Sequence, residues 1–126
     1  MTVYLDTHVV IWVYEAENEK ISSHASHTLD DSDLLVSPAV VLELEILHEI
    51  GRMRISAERM IAALESQIDL RVCSLPFRDV AAQALHEKWT RDPFDRVIVA
   101  HAKASGIAPL VSADEEIRKH YARAVW

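Results

Sequence analysis

Only one cysteine, Cys73, and two glycines, Gly51 and Gly106, occur in the 126 residues. A single thiol excludes an internal disulfide and suits a reducing compartment. Two glycines leave no glycine-rich phosphate loop, and with half the residues hydrophobic they exclude extensive disorder. No apolar run approaches the ~20 residues that span a bilayer, and no basic leader precedes a signal-type apolar core. The expectation is a cytoplasmic protein with no membrane partner. Its length suits a single domain over residues 1–126 with a real core. Basic residues are also few: 13 Lys and Arg against 20 Asp and Glu give a formal net charge of −7. That balance argues against holding nucleic acid through overall charge, yet a cluster of metal-binding carboxylates would help produce it. Charge alone leaves both options open.

What is present begins at the first residues. Val3-Tyr4-Leu5 is a short apolar run without alternation, the pattern of a strand buried on both faces. Val9 to Tyr14 is apolar all round and has no clear period. Asp6-Thr7-His8 between them is a poor hairpin turn but offers two good caps, so a helix is expected to follow. A polar helix from Ser22 to Asp31 comes next, then a buried strand over Asp33–Ser37. Ser37-Pro38 starts a helix that runs to about Ile50 and stops at Gly51. Another opens at Ser56-Ala57-Glu58 and carries Met60, Ile61, Leu64 and Ile68. A third strand is expected over Leu70–Leu75, then a helix from Pro76 with Val80, Ala81, Ala84 and Leu85 inward. Asp92-Pro93 starts a strongly apolar helix that ends near Gly106. A fourth strand over Ala108–Ser112, a short helix from Asp114 and a fifth strand within Ala122–Trp126 complete the chain. Strands alternating with helices predict an α/β fold, with a parallel sheet and helices on both faces.

Four acids stand out in this arrangement. Asp6 lies where the first strand hands over to a helix, and Asp114 just past the fourth strand. Parallel strands present their carboxyl ends to one edge, so both should share it. Glu43 flanks the buried stripe of Val40, Leu44 and Leu47, whereas Glu45 points away from it. Asp95 shares a helix face with Ile98, Val99 and Ala102. Each has a plainer reading. Asp6 is a cap, Glu43 a salt bridge to an Arg, and Ser112 to Glu115 a capping box that leaves Asp114 without a task. Asp92, directly before Pro93, is the better cap for its helix. Taken together, carboxylates on one edge would repel unless protonated or bound to a cation, and an oxygen-only site suits Mg²⁺ or Mn²⁺. The seven histidines show no zinc spacing with Cys73, and His101 on an apolar helix reads as a satisfied core group.

Leu5-Asp6-Thr7-His8, Val41-Leu42-Glu43-Leu44, Arg91-Asp92-Pro93-Phe94-Asp95-Arg96 and Leu110-Val111-Ser112-Ala113-Asp114 resemble, in order and spacing, the PIN-domain family. Within it they are similar to the VapC toxins of bacterial toxin–antitoxin pairs. The resemblance covers essentially the whole chain, and the Asp-Pro-Phe-Asp-Arg run is its most specific part. It implies a three-layer α/β/α sandwich with a central parallel sheet. It further implies an endoribonuclease dependent on Mg²⁺ or Mn²⁺, with Asp6, Glu43, Asp95 and Asp114 as its catalytic and metal-binding acids. RNA as substrate, a homodimer and a cognate antitoxin that covers the site come with the family. Ser112 stands where the family often has Thr, which keeps the hydroxyl. Thr90 stands where many relatives have His, which bears on RNA contacts more than on metal chemistry. Basic residues such as Arg52, Arg54, Arg91 and Arg96 are candidates to line an RNA path around the acids and read equally as ordinary surface charges, with Arg96 a candidate phosphate contact.

Two other classes predict different features. A receiver-type signalling domain needs an acidic pair after the first strand, a phosphoacceptor Asp after the third and a late Lys. Here Asp6 has no acidic neighbour and the third strand ends at Ser74-Leu75. A non-catalytic binding module would use the same acids only as caps and ion pairs, and would bind no divalent metal.

Overall fold

Val3, Tyr4 and Leu5 lose essentially all solvent exposure, as a strand in the middle of a parallel sheet must. In the computed structural model, which describes residues 1–126, they belong to β1 (Thr2–Leu5). There follow α1 (Thr7–Tyr14), α2 (Ser23–Asp30), β2 (Asp33–Val36), α3 (Pro38–Glu49) and α4 (Ala57–Ile68). Then come β3 (Arg71–Val72), α5 (Phe77–Ala84), α6 (Pro93–Ala104), β4 (Leu110–Val111), α7 (Glu115–His120) and β5 (Ala124–Val125). The five strands form one sheet of order β3-β2-β1-β4-β5, parallel at every pairing. The register sets Val3 opposite Leu34 and Leu5 opposite Val111. From β1 the sheet grows through β2 and β3 on one side, then through β4 and β5 on the other. Between β1 and β4 lies the switch point, and the crevice outside the strand ends there is where open α/β sheets place ligands.

The helices begin where oxygen-bearing caps allow them to. Ser22 accepts from the Ala25 amide, Ser37 from Ala39 and Ser56 from Arg59, each such cap contributing about 1 kcal/mol. Pro38 and Pro93 fill the first positions of α3 and α6, where no amide donor is needed. Val40 and Leu44 from α3, Met60, Ile61 and Leu64 from α4, and Ile98, Val99 and Ala102 from α6 join the strand residues in one core. The result is the expected three-layer α/β fold with a central parallel sheet. No helix is long and apolar enough to cross a membrane.

Several local expectations need correction. The third strand is only Arg71–Val72, because an edge strand has a single neighbour to pair with, and Cys73 makes the last bond, to the Val36 carbonyl. The fourth is Leu110–Val111, though the amides of Tyr4 and Ser112 extend its ladder to Pro109 and Val125. Leu85 is 70% exposed rather than inward, since α5 ends at Ala84 and Leu85 falls on its cap. Ile68 is 38% exposed at the end of α4, where Asp69 turns left-handed. Glu45 does not simply face solvent: its carboxylate accepts from the Ala57 amide at 3.0 Å and so fixes the start of α4. His101 is buried with Nδ1 2.9 Å from the Ser37 hydroxyl, but its Nε2 has no partner, so it is only half satisfied.

Candidate active site

Asp6 is the residue at which β1 becomes α1. Its backbone is extended, its amide bonds to the Val111 carbonyl of β4, and its Oδ1 accepts from the Thr7 amide at 2.9 Å. The cap reading is therefore right, but it uses only one carboxylate oxygen. Oδ2 accepts from the Ser112 hydroxyl at 2.7 Å, across the sheet's switch point. Only 7% of Asp6 is exposed, and burial raises its carboxyl above the usual range. The Ser112 hydroxyl, the Thr7 amide and the charge of His8 oppose that rise, and Asp114 adds to it.

Glu43 reaches the same edge from α3. The salt bridge to an Arg does not exist; instead the Thr7 hydroxyl donates to Glu43 Oε1. Burial raises this carboxyl despite Thr7, and Asp6 and Asp92 push it further. Asp95, in the first turn of α6, is pushed up to about 7. Burial is the largest cause, followed by the charges of Asp92, Asp6, Asp114 and Glu43. Asp95 thus lies in the field of the other three expected site acids, and Asp92 joins them.

Asp114 sits just past β4, exposed, with Oδ1 accepting from the Ile117 amide at 2.9 Å. Here the expected capping box from Ser112 to Glu115 is wrong. Asp114 itself caps α7, and the Ser112 oxygen accepts from the Asp114 amide at 3.1 Å while its proton goes to Asp6. Asp92 caps α6 as expected, accepting from the amides of Phe94 and Asp95. Thr7 and Ser112 are the site residues that cap reasoning undervalued. The visible signal was their position: each hydroxyl follows a strand, one residue after Asp6 and two before Asp114.

None of the molecule's salt bridges includes Asp6, Glu43, Asp95 or Asp114. Carboxylates that crowd one another at a buried edge without a Lys or Arg partner are a fitting donor set for a hard divalent cation. No three of them close into a finished ligand cluster. They suit a cation held through one or two carboxylates, with water and phosphate oxygens filling the remaining positions. Arg96 is not free to turn fully toward this edge, since its Nε donates to the Glu87 carbonyl at 2.8 Å. Glu87 is itself buried, ion-paired to Lys103 at 2.5 Å and bonded by the Trp89 indole at 2.7 Å. That network anchors the loop leading to Asp92.

Comparison with known proteins agrees with the fold. The family profile described as "PIN domain" matches residues 3–123. No curated protein matches the sequence significantly. Among solved structures, a chain in the crystal structure of VapBC2 from Rickettsia felis, bound to a DNA fragment from their promoter, is similar in fold. It superposes with a TM-score of 0.65 at 14% identity, covering 94% of this chain and 92% of that one.

Proposed function

Because the chain belongs to the PIN domain family, we propose that it is a metal-dependent endoribonuclease, the toxin of a VapBC-type toxin–antitoxin pair. PIN domains are typically nucleases. The observation that carries the reading is Asp95, a carboxyl raised to about 7 by burial and by the acids around it. A site that raises the carboxyls of Asp6, Glu43 and Asp95 with no Lys or Arg paired to any of them is suited to positive charge.

Asp6, Glu43 and Asp95 would hold Mg²⁺ or Mn²⁺, and Asp114 at the exposed rim would complete the site or orient water. A cation bound there supplies Lewis-acid stabilisation of charge on the phosphodiester and makes water a better nucleophile at neutral pH. Thr7 and Ser112 hold the carboxylates of Glu43 and Asp6 in place, each through one donated proton. Cleavage adds water oxygen to phosphorus and releases one ester oxygen with a proton. RNA is the substrate in this reading, a homodimer the working form, and a cognate antitoxin the partner that covers the site. The likeness in fold to a chain of the Rickettsia felis VapBC2 complex, solved with promoter DNA, supports the antitoxin part.

The test is cleavage of mixed cellular RNA by purified protein with Mg²⁺, with Mn²⁺ and with chelator. Metal-dependent cleavage is expected, with Asp6→Asn reducing it by roughly a hundredfold or more, the scale of losing one electrostatic contact to the reacting group. Full activity in that variant would sink the assignment.

A further inference from the structure

An acidic nuclease must grip a polyanion with few cations, and the structure offers another means beside the acid edge. His8 lies two residues beyond Asp6, is exposed, and is near enough for its charge to act on both Asp6 and Glu43. One helical turn on, Trp12 shares its face of α1. The His8 and Trp12 ring centroids are 6.1 Å apart, and those of Trp12 and Trp126 are 5.8 Å apart. Three aromatic rings are therefore in successive tilted contact, a line of contacts that starts two residues beyond Asp6 and ends just past β5. Both tryptophans pack on one side against the hydrophobic core and keep the rest of their surface in solvent.

Where this line ends, the charge changes sign. Trp126 borders an open cleft of about 530 Å³ whose other side chains include His24, Arg118, Lys119 and Glu115. Glu115 is the only acid in that lining. Arg118 and Lys119 are exposed and belong to no salt bridge, so their charges are available. Aromatic faces followed by free cations are what a single strand of nucleic acid requires, because every base has a π-face and stacking tolerates any sequence. A paired duplex would bury those faces and gain nothing.

We propose that His8, Trp12 and Trp126, with Arg118 and Lys119, form a stacking path that holds single-stranded RNA leading away from the scissile phosphate. The path deepens the nuclease reading and rests on it for the identity of the polymer. It accounts for an enzyme of net charge −7 engaging RNA: affinity comes chiefly from stacking, and two cations fix the backbone. Neutralising both cations should therefore reduce the slope of log affinity against log salt by about 1.4, at ~0.7 per phosphate for single strands.

Binding is measured apart from cleavage. The full chain in chelator is titrated into a fluorescein-labelled ten-nucleotide RNA of mixed sequence, followed by anisotropy. Trp126→Leu, which keeps an apolar side chain but no ring, should weaken binding about tenfold, and Trp126→Phe less than about threefold. Arg118→Gln with Lys119→Gln, both on exposed positions, should weaken binding and lower the salt slope even if the Trp126 variants prove unstable. Unchanged affinity and slope in the double Gln variant overturn the proposal, as does equal binding of a duplex of the same length. A chain that binds in this way but cuts no RNA leaves the path and overturns the nuclease reading. One that cuts RNA while its affinity ignores these substitutions overturns the path alone.

Discussion

At Asp95, burial and neighbouring charge act in the same direction, which is why its carboxyl rises furthest, to about 7 from an ordinary 3.8. The folded chain then holds this proton more tightly than the unfolded chain does. Its stabilising contribution is fully present below about pH 3.8 and is lost as pH rises through about 7. Asp95→Asn removes that loss. In chelator, its stability relative to the parent should grow between about pH 4 and pH 7 and stay level above. The gain should be on the order of 1–2 kcal/mol once solvent screening is allowed for. Urea melts at a series of pH values check it. A difference that does not change with pH would mean that neither burial nor the neighbouring acids raise the Asp95 carboxyl. Asp6 was legible as a candidate because it follows a buried strand, and Glu43 because it flanks a buried helix face, but their partners were not. A hydroxyl that caps a helix and one that bridges to a carboxylate look alike in sequence, and only the fold distinguishes the two uses of Ser112.

Among the elements, α6 combines the most roles. Its first turn carries Asp95, its cap is Asp92, and its later turns hold the buried Glu87 through Lys103. Burial pushes the Glu87 carboxyl up, yet the bonds and charge from Lys103 and Trp89 outweigh burial and hold it below the usual range. Lys103→Met strips that carboxylate of its counter-charge and should cost about 3 kcal/mol, whereas adding Glu87→Gln should restore most of the loss. Chemical denaturation of the single and double variants measures it. Equal losses in both would show that packing, not charge, holds the loop. Helix starts were well marked in the sequence by Ser22, Ser37, Ser56 and Asp92, each of which caps as its neighbours suggested. Strand ends were not. β3 and β4 are short because pairing depends on neighbours that lie far off in the chain, and apolar runs do not record them. Leu85 read as inward on helical spacing, but the helix stops one residue too soon for that spacing to apply.

Across the whole molecule, the strand order β3-β2-β1-β4-β5 brings four scattered acids to one edge of the sheet. The alternation of strands and helices indicated a parallel sheet, and parallel strands placed Asp6 and Asp114 on one edge. Their adjacency depended on β4 pairing with β1 rather than with β3, which no local pattern states. The resemblance to the PIN family supplied what local patterns could not, and the family match over residues 3–123 agrees with it. If these carboxylates form one cation-dependent centre, the proton on Asp95 must compete with the metal. A carboxyl-detected NMR titration of Asp95, in chelator and then with Mg²⁺, reads that competition at the residue itself. The expected midpoint is about 7 without metal, falling by more than about one unit when Mg²⁺ is present. An ordinary midpoint near 3.8 that ignores Mg²⁺ would contradict a shared centre and would return the acids to the role of caps.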